Sequence, residues 1–338
     1  MNSPFVNSSR SHQRGVALIT CLLVFAIATA LVSQIVLRSQ ANLQKTQWLV
    51  DQAQAREDAL LTEQLALATL ARARRDNSLE QLLPDSAQHR TPADVQTEFS
   101  HSQWRLSDLQ ARINLNNLLN DGALASQTRR FLQQQGIDQS FADSVKDWVD
   151  GDTQPTGLGA EDGFYEARKT PHVSANQKLL EVDALRGIAG FDSKRVMPVL
   201  PLLTALPQAT AININTAPVS VLAAVHQELK AEDTIRARQQ LPGGFSSVDS
   251  FIETQLPEGI DIDNQALTIS SSYYRLDIIT RYQSPGGERH LTLQTQLSLD
   301  ESGFQILGRS FGKPNEAAAT ATKSSGDSGS DRTGNTQA

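Results

Sequence analysis

The sequence predicts an α+β fold, in which a long N-terminal helix packs on a small antiparallel sheet and a large, mostly helical insertion interrupts that sheet. Neither Pro nor Gly occurs from position 16 to position 83, which favours one continuous helix. Apolar residues alternate over 273–282 and 289–299, on both sides of a Ser-Pro-Gly-Gly turn, and this pattern predicts a β-hairpin. A weaker alternation at 102–109 predicts a further strand, and 304–307 an edge strand.

The first part of the predicted helix has the composition of a membrane span. No Lys, Arg, Asp or Glu occurs between Val16 and Leu37, and this run is long enough to cross a hydrocarbon layer of ~30 Å. Arg10 and Arg14 precede it and are expected to keep the leader on the cytoplasmic side. We therefore divide the N-terminal region into a leader at 1–15, a membrane-spanning helix at 16–38 and a periplasmic continuation at 39–83.

The junction between the leader and the apolar helix resembles the site at which prepilin peptidase cuts. Gly15 follows Arg14 directly, and the cut is predicted between Gly15 and Val16, in front of the apolar helix. An ordinary secretory signal has a shorter apolar core followed by a small-x-small cleavage site, and this sequence has neither. The alternative is a plain signal anchor that remains uncut, because hydropathy determines insertion but not processing.

The fifth residue after the predicted cut is Thr20. In pilin-like proteins this position is usually a glutamate, thought to pair with the terminal amine of the adjacent subunit, and a carboxylate inside a membrane is costly without such a partner. A subunit without that carboxylate best suits the filament tip, where no subunit lies ahead. Loss of the glutamate by drift is the alternative explanation.

The predicted helix also carries a candidate packing face beyond the membrane. Five residues fall at spacings of four and seven, which places them on one face, expected to contact a domain or neighbouring subunits. They are Leu49, Ala53, Leu60, Leu67 and Ala71.

Composition and charge describe an acidic body on a single anchor. A net charge of −7 and a pI near 5.4 argue against nucleic acid as the main partner. The only cysteine, Cys21, lies in the membrane run, so no internal disulfide can form. Residues 84–112 and 267–312 are predicted to form the sheet domain, residues 113–266 the insertion, and residues 313–338 a disordered tail with no aromatic residue.

Residues 147–166 form an acidic loop, in which six carboxylates occur with no Lys or Arg. Five of these carboxylates could converge on one hard cation, because calcium takes six to eight oxygen ligands and tolerates irregular loops. The candidate ligands are Asp147, Asp150, Asp152, Glu161 and Asp162. A solvated acidic surface is the alternative. A catalytic carboxylate pair is a third reading, which no His, Ser or Cys arrangement supports, so we predict that the chain is not an enzyme.

A second motif lies further along the insertion, at Asn213-Ile-Asn-Thr-Ala-Pro218 and Leu241-Pro-Gly-Gly-Phe245. Asn215 or Thr216 is expected to cap a helix that begins near Pro218. A related string at 113–118 precedes a predicted helix over 121–135, so the insertion is expected to hold two related helical units. The second motif also resembles helix-hairpin-helix modules, which offer backbone amides to DNA phosphates. Residues 211–255 carry five acidic and three basic side chains, and this balance disfavours DNA.

Taken together, these features resemble the protein K family of type II secretion systems, the large minor pseudopilins. The resemblance is carried by Arg14-Gly15, Thr20, the acidic loop and Asn213-Ile-Asn-Thr-Ala-Pro218. It implies a pilin-like sheet domain, calcium in the acidic loop, and processing by prepilin peptidase with methylation. It also implies a complex with minor pseudopilins I and J at the tip of the pseudopilus, with H and the major pseudopilin G below. The expected location is the bacterial inner membrane, with the body in the periplasm. The alternative is a type IV pilus-like minor subunit with a DNA-binding insertion.

Overall fold

The computed structural model describes residues 13–84, 90–260 and 262–312, with side chains described from Leu18 onward. Its first element is the helix α1, Gln13–Arg75. Among the described residues, α1 is the one helix long and apolar enough to cross a membrane, and none of its most apolar 18-residue stretch is buried within the chain. The continuous N-terminal helix is therefore confirmed. Residues 313–338, predicted to be a disordered tail, lie outside the described residues.

Helix α1 ends earlier than its predicted boundary at position 83. It stops at Arg75, and Asn77 adopts a left-handed backbone conformation with φ of 50°. Asn is one of the few residues other than Gly that tolerates this conformation. The N–H of Ser78 then donates to the carbonyl of Ala73, which closes the helix end. Residues Leu79–Leu82 form a separate 3-10 helix.

The strands form one principal sheet and two short pairs. In chain order the described strands are β1 (Val95–Gln96), β2 (Ser100–Asp108), β3 (Ile113–Asn114), β4 (Leu203–Thr204), β5 (Ile212–Asn213), β6 (Leu267–Thr268), β7 (Tyr273–Ser284), β8 (Gly287–Asp300) and β9 (Gly303–Gly312). The principal sheet is antiparallel in the order β1-β2-β7-β8-β9, and β7 and β8 form the predicted hairpin. The α+β class is confirmed, and the edge strand β9 is longer than the predicted 304–307.

Helix α1 packs on this sheet with a face of small and polar residues. Ala59, Ala66 and Leu70 are fully buried there and share one hydrophobic core with Leu276, Ile278 and Leu293 of the sheet. Of the predicted apolar face, Leu60 and Leu67 are partly buried at the flank of this contact, and Ala71 is also partly buried. Leu49 and Ala53 are exposed, and their contact with neighbouring subunits stays a prediction. Close approach of a helix to a sheet favours alanine over larger side chains, and an apolar periodicity cannot report this preference.

Buried carboxylates on the same face of α1 fix its position on the sheet. Asp51 accepts a hydrogen bond from the hydroxyl of Ser284, and Asp58 accepts one from the hydroxyl of Ser100 at 2.6 Å. Glu63, with no exposed surface, accepts a hydrogen bond from Thr295 and pairs with Arg309 at 2.8 Å. Each of these acids therefore has a partner from the sheet.

Helices are the main regular secondary structure of the insertion, which has its own hydrophobic core. Its described α-helices are α2 (Ala123–Gln134), α3 (Gln139–Val149), α4 (Asp162–Glu166), α5 (Ser193–Val196), α6 (Val219–Leu222), α7 (Ala231–Gln240) and α8 (Val248–Gln255). Short 3-10 helices occur at Leu115–Leu119, Val182–Gly187, Met197–Leu202 and Asn264–Ala266.

Two parallel strand pairs divide the insertion into two units. Strand β3 pairs with β4, and β5 pairs with β6, so each unit is closed by a pair whose first strand reads Ile-Asn. This arrangement agrees with the two related units expected from the sequence. The insertion extends beyond its predicted end at position 266, because β6 at Leu267–Thr268 pairs with β5. The C-terminal strands of the principal sheet begin at Tyr273.

The predicted helix cap in the second unit was wrong. Pro218 itself occupies the position before α6, and no side chain caps that helix. The amide of Asn215 instead accepts from the N–H and donates to the carbonyl of Phe245, and the hydroxyl of Thr216 donates to Asp108. The polar residues of this motif connect separate segments instead of starting a helix.

Candidate metal centre and family

The acidic loop begins on the last turn of α3, where Asp147 faces the protein interior. Its side chain is fully buried. The carboxylate oxygen Oδ1 accepts a hydrogen bond from the backbone N–H of Thr156 at 2.9 Å. The other oxygen, Oδ2, is buried and has no hydrogen-bond partner among the described residues. A buried carboxylate oxygen without a partner carries a large desolvation cost, so this atom requires an explanation.

Two glycines bring the loop backbone directly over buried carboxylates. A Cβ at Gly159 would lie 2.0 Å from Oδ2 of Asp147, and a Cβ at Gly157 would lie 2.7 Å from Oδ2 of Asp143. Gly157 also has a φ of 55°, which disfavours other residues. Asp143 is paired with Arg129, so the charge of that second carboxylate is already balanced. The loop therefore approaches Asp147 as closely as only glycine allows.

Three further carboxylates converge beside Asp147. One oxygen from each of Asp150, Asp152 and Glu161 lies within 4.8 Å of the others. Oδ1 of Asp150 and Oε1 of Glu161 are buried and have no hydrogen-bond partner in the described part of the chain. Including Oδ2 of Asp147, the loop contains three buried carboxylate oxygens for which the described chain supplies no donor.

Burial and mutual repulsion disfavour the charged forms of these carboxylates. Desolvation raises the pKa of Glu161, and the charges of Asp147, Asp150 and Asp152 raise it further. The pKa of Asp150 is also raised, first by desolvation and then by Asp152 and Asp147. A bound cation would reverse these effects, because it favours the charged form of each carboxylate.

Asp162 is positioned differently from the other four candidate ligands. Its Oδ1 accepts hydrogen bonds from the N–H of Ser174 at 2.8 Å and from the hydroxyl of Ser174 at 2.5 Å. These hydrogen bonds lower the pKa of Asp162. Asp162 thus anchors the segment around Ser174 next to the loop, and its oxygens are not part of the group formed by Asp150, Asp152 and Glu161.

The donor set fits a hard divalent cation. Asp150, Asp152 and Glu161 offer oxygen ligands close to one another, and this group contains no His or Cys. Asp147 lies outside the group and adds a buried carboxylate oxygen that has no donor among the described residues. Calcium accepts this all-oxygen chemistry in irregular loops. The sequence identified these acids, but not the contribution of Ser174 or the close approach of Gly159 to Asp147. The short Gly157-Leu-Gly159 spacing was the available signal for that approach.

The other predicted site residues lie on α1. Gly15 and Val16 fall in its first turns, and their side chains are outside the described set, so cleavage between them stays a prediction. Thr20 is exposed on the surface of the apolar part of the helix.

Comparison with known proteins places this geometry in a family. Family models for type II secretion system protein K match residues 111–208 and 212–270, and these two segments correspond closely to the two units of the insertion. Type II secretion system protein K of Pseudomonas aeruginosa is 30% identical over 322 residues, with 90% of this chain and 94% of that protein covered. The chain belongs to the type II secretion system protein K family. The homologue of Pectobacterium carotovorum subsp. carotovorum is 26% identical, with coverage of 90% and 98%.

A solved structure of the same family has this fold. A chain in the crystal structure of the GspK-GspI-GspJ complex from enterotoxigenic Escherichia coli matches with a TM-score of 0.66 and 26% identity. The match covers 80% of the present chain and 99% of the solved one. The predicted family is therefore confirmed over nearly the whole chain, and the Asn213-Ile-Asn-Thr-Ala-Pro218 motif lies in the segment matched by the second protein K model.

Proposed function

We propose that the protein is a minor pseudopilin at the tip of the type II secretion pseudopilus. There it starts assembly of the pseudopilus and supports export of folded proteins across the outer membrane. The observation that carries this proposal is the match to a chain of the GspK-GspI-GspJ complex, which covers 99% of that chain. We propose a structural role without catalysis, since the family is a component of the secretion apparatus.

Thr20 supports the position at the tip. On the exposed surface of α1, it stands where pilin-like subunits usually carry a glutamate for the subunit ahead. An unpaired carboxylate in the membrane is costly, so its absence suits a subunit with nothing above it. The bulk of the insertion supports the same position, because a large lobe beside the sheet hinders stacking of a further subunit.

The proposed partners are minor pseudopilins I and J, with H and the major pseudopilin G below. The composition of the solved GspK-GspI-GspJ complex supports I and J. The face of α1 that is turned away from the sheet supports helix contacts, because Leu61 and Leu65 are exposed on it. We include no nucleic acid among the partners.

The apolar part of α1 supports a single inner-membrane anchor with the body in the periplasm. Prepilin peptidase is proposed to cut between Gly15 and Val16, and methylation is proposed to follow. Intact-mass analysis of the membrane-purified protein, with and without the peptidase, tests this step. A mature chain that begins at Val16 only when the peptidase is present supports the proposal, and an uncut chain in both strains contradicts it.

Calcium is the proposed cofactor of the acidic loop. Asp147, Asp150, Asp152 and Glu161 would hold it through carboxylate oxygens, and Asp162 would position the neighbouring segment through Ser174. The bound ion supplies positive charge that offsets the repulsion among these acids. The acidic residues themselves close the loop over the end of α3, so the proposed role of the site is to stabilise the fold.

Co-purification tests the proposed assembly. The full-length chain, expressed with I, J and G and extracted in detergent, is expected to form a complex with I and J that survives gel filtration. A chain that purifies alone while I and J form a pair without it contradicts the proposal. The type IV pilus alternative, with a DNA-binding insertion, requires binding to duplex DNA that weakens steeply as salt rises, and no binding at low salt excludes it.

A further inference from the structure

The face of the principal sheet that is turned away from α1 carries a group of arginines. Side chains alternate between the two faces of a strand, so Arg105 of β2 faces away from α1, because Trp104 and Leu106 belong to the core shared with α1. By the same alternation, Arg275 and Asp277 of β7 lie on this outer face, and Asp277 pairs in register with Arg105. Nothing in the proposed function uses this surface.

The first unit of the insertion adjoins the outer face at one end. Leu206 of that unit shares a small buried cluster with Tyr273, which lies two positions before Arg275 on the same face of β7. Arg112, in the connection between β2 and β3, is partly buried, and its guanidinium interacts electrostatically with Arg275 and Asp277. We call the site formed by Arg105, Arg112, Arg275 and Asp277 the arginine corner.

The guanidinium groups of the arginine corner differ in their partners. Arg275 contacts Oδ2 of Asp277 at 3.0 Å. The other oxygen of Asp277, Oδ1, is buried and accepts no hydrogen bond from the described residues, so it is not the partner of a second arginine. Within the described part of the chain, the side chains of Arg105 and Arg112 make no hydrogen bond or ion pair. Two guanidinium groups are therefore left for a ligand.

The charges around the corner leave an excess of one positive charge. Asp108, buried at the end of β2, is a second carboxylate near Arg112, and it already accepts three side-chain hydrogen bonds. Burial and then the charge of Arg275 lower the pKa of Arg112 to about 10. The charges of Asp277 and Asp108 act in the opposite direction. Three guanidinium groups thus stand against two carboxylates, and both carboxylates are engaged elsewhere.

Further charged groups of the outer face lie towards the opposite end of the strands. Arg281, four residues along β7 from Asp277, donates a hydrogen bond to the side chain of Gln103. Asp94 pairs with His101, which lies in register with Arg281. Four residues of a strand span roughly 13 Å, so these groups do not neutralise the corner.

The chemistry of the corner suits a carboxylate ligand. A planar guanidinium matches a carboxylate with two parallel hydrogen bonds. Gln294 and Gln296 of β8 lie in register with Asp277 and Arg275, and their amides add donors beside the arginines. One carboxylate balances the excess charge, whereas a doubly charged phosphate exceeds it and is repelled more strongly by Asp277.

We propose that the arginine corner binds an acidic side chain of another protein, with Arg105 and Arg112 as the receiving groups. Charge complementarity selects this partner, because the corner is locally positive on a chain whose net charge is −7. The outer face beside the corner is a sheet surface with polar side chains, on which a segment of the partner can lie. The site does not depend on the tip position, since a subunit at any level of a filament would present it.

Calorimetric titration of the full-length chain in detergent tests the proposal with two matched peptides. Acetyl-Thr-Glu-Thr-Glu-Thr-amide carries carboxylates, and acetyl-Thr-Gln-Thr-Gln-Thr-amide is its neutral counterpart. We expect saturable binding of the acidic peptide that weakens as salt rises, and no binding of the neutral peptide. Inorganic phosphate and acetate are then compared as competitors at equal ionic strength. Phosphate should displace the peptide no better than acetate, and a clear preference for phosphate would overturn the assignment to a carboxylate.

Variants connect the binding to the arginine corner. Arg105→Gln, at an exposed position, and Arg112→Gln are each expected to weaken binding of the acidic peptide about tenfold, because a charge-assisted contact is lost. Asp277→Asn removes a like charge and is expected to tighten binding several-fold. Arg289→Gln, at an exposed arginine near the hairpin turn, is the control and should leave binding unchanged. Failure of the acidic peptide to bind, equal binding of the neutral peptide, or unchanged affinity in Arg105→Gln would overturn the proposal.

Discussion

The contact between α1 and the sheet and the acidic loop of the insertion both bury carboxylates, but they satisfy them differently. On α1, Glu63 has no exposed surface, yet it is bonded to Thr295 and Arg309. In the loop, Asp147 is equally buried, and its Oδ2 has no donor in the described chain. In the first region the described chain supplies the partners of the buried carboxylates, whereas in the second it leaves a buried carboxylate oxygen without a donor.

This difference has a physical consequence for folding. Burial of an unpaired charge costs several kcal/mol, so a chain does not retain such a group unless something else compensates it. The close approach of Gly159 to Asp147 makes the loop still less tolerant of repulsion among its acids. Stability of the insertion is therefore expected to depend on a cation, and the contact between α1 and the sheet is expected not to.

The largest expected effect is that of metal removal. With calcium at 100 to 1,000 times its dissociation constant, the bound ion contributes roughly 3–4 kcal/mol to the free energy of unfolding. Thermal unfolding of the full-length chain in calcium and in a chelator measures this difference. Magnesium at the same concentration is the control and should stabilise less, because it demands a regular octahedral shell and gives up its water reluctantly. Identical melting curves in all conditions would contradict the expected dependence of the insertion on a cation.

The second effect concerns the region that is complete within the chain. Glu63→Ala leaves Arg309 without its partner and removes a buried acceptor from Thr295, which should cost roughly 2–3 kcal/mol of unfolding free energy. Because this site needs no ion, the loss should be the same in calcium and in chelator. Denaturant unfolding under both conditions measures it, and a loss that appears only in calcium would contradict the separation of the two regions.

A third substitution tests the loop without altering any charge. Gly159→Ala places a Cβ 2.0 Å from Oδ2 of Asp147, so the backbone must move away from the carboxylate. We expect calcium affinity to fall about tenfold or more, since ligand geometry is disturbed while all the acids remain. Gly163→Ala is the matched control, because its Cβ would have nothing within 4 Å. Equal affinity in the two variants would show that the loop does not hold the ion.

The smallest expected effect is a reversal of pH dependence. In chelator, the raised pKa values of Glu161 and Asp150 mean that the folded chain binds protons more tightly than the unfolded chain. The resulting stabilisation is present below the unfolded pKa values and is lost as pH rises through the raised folded values. In calcium the pH dependence of stability should reverse, because protons compete with the ion for the carboxylate oxygens. Unfolding series from pH 4.5 to 7 in both conditions measure the two slopes, and parallel slopes would contradict this account.

Sequence patterns predicted the large features of the fold because those features depend on periodicity and composition. The hairpin of β7 and β8 follows from alternation around its turn, and α1 follows from the absence of Pro and Gly. The buried face of α1 was predicted only in part, because Ala59, Ala66 and Glu63 are small or charged and do not stand out in an apolar periodicity. The partners of Glu63 lie more than 200 positions away in sequence, and local patterns carry no information about them.

The acidic loop was also predicted only in part from the sequence. Its acids were identified because their density is visible in the sequence. The separation of Asp162 from Asp150, Asp152 and Glu161 depends on Ser174, whose position is set by tertiary structure.

A crystal structure of the full-length chain, grown in calcium, tests the central claim most directly. The account predicts anomalous density from one ion bound by Asp150, Asp152 and Glu161, at the roughly 2.3–2.6 Å typical of calcium–oxygen bonds, with Asp147 at its inner side. The contradictory result is a loop in which the same carboxylate oxygens are hydrogen-bonded to water or protein, with no ion at millimolar calcium.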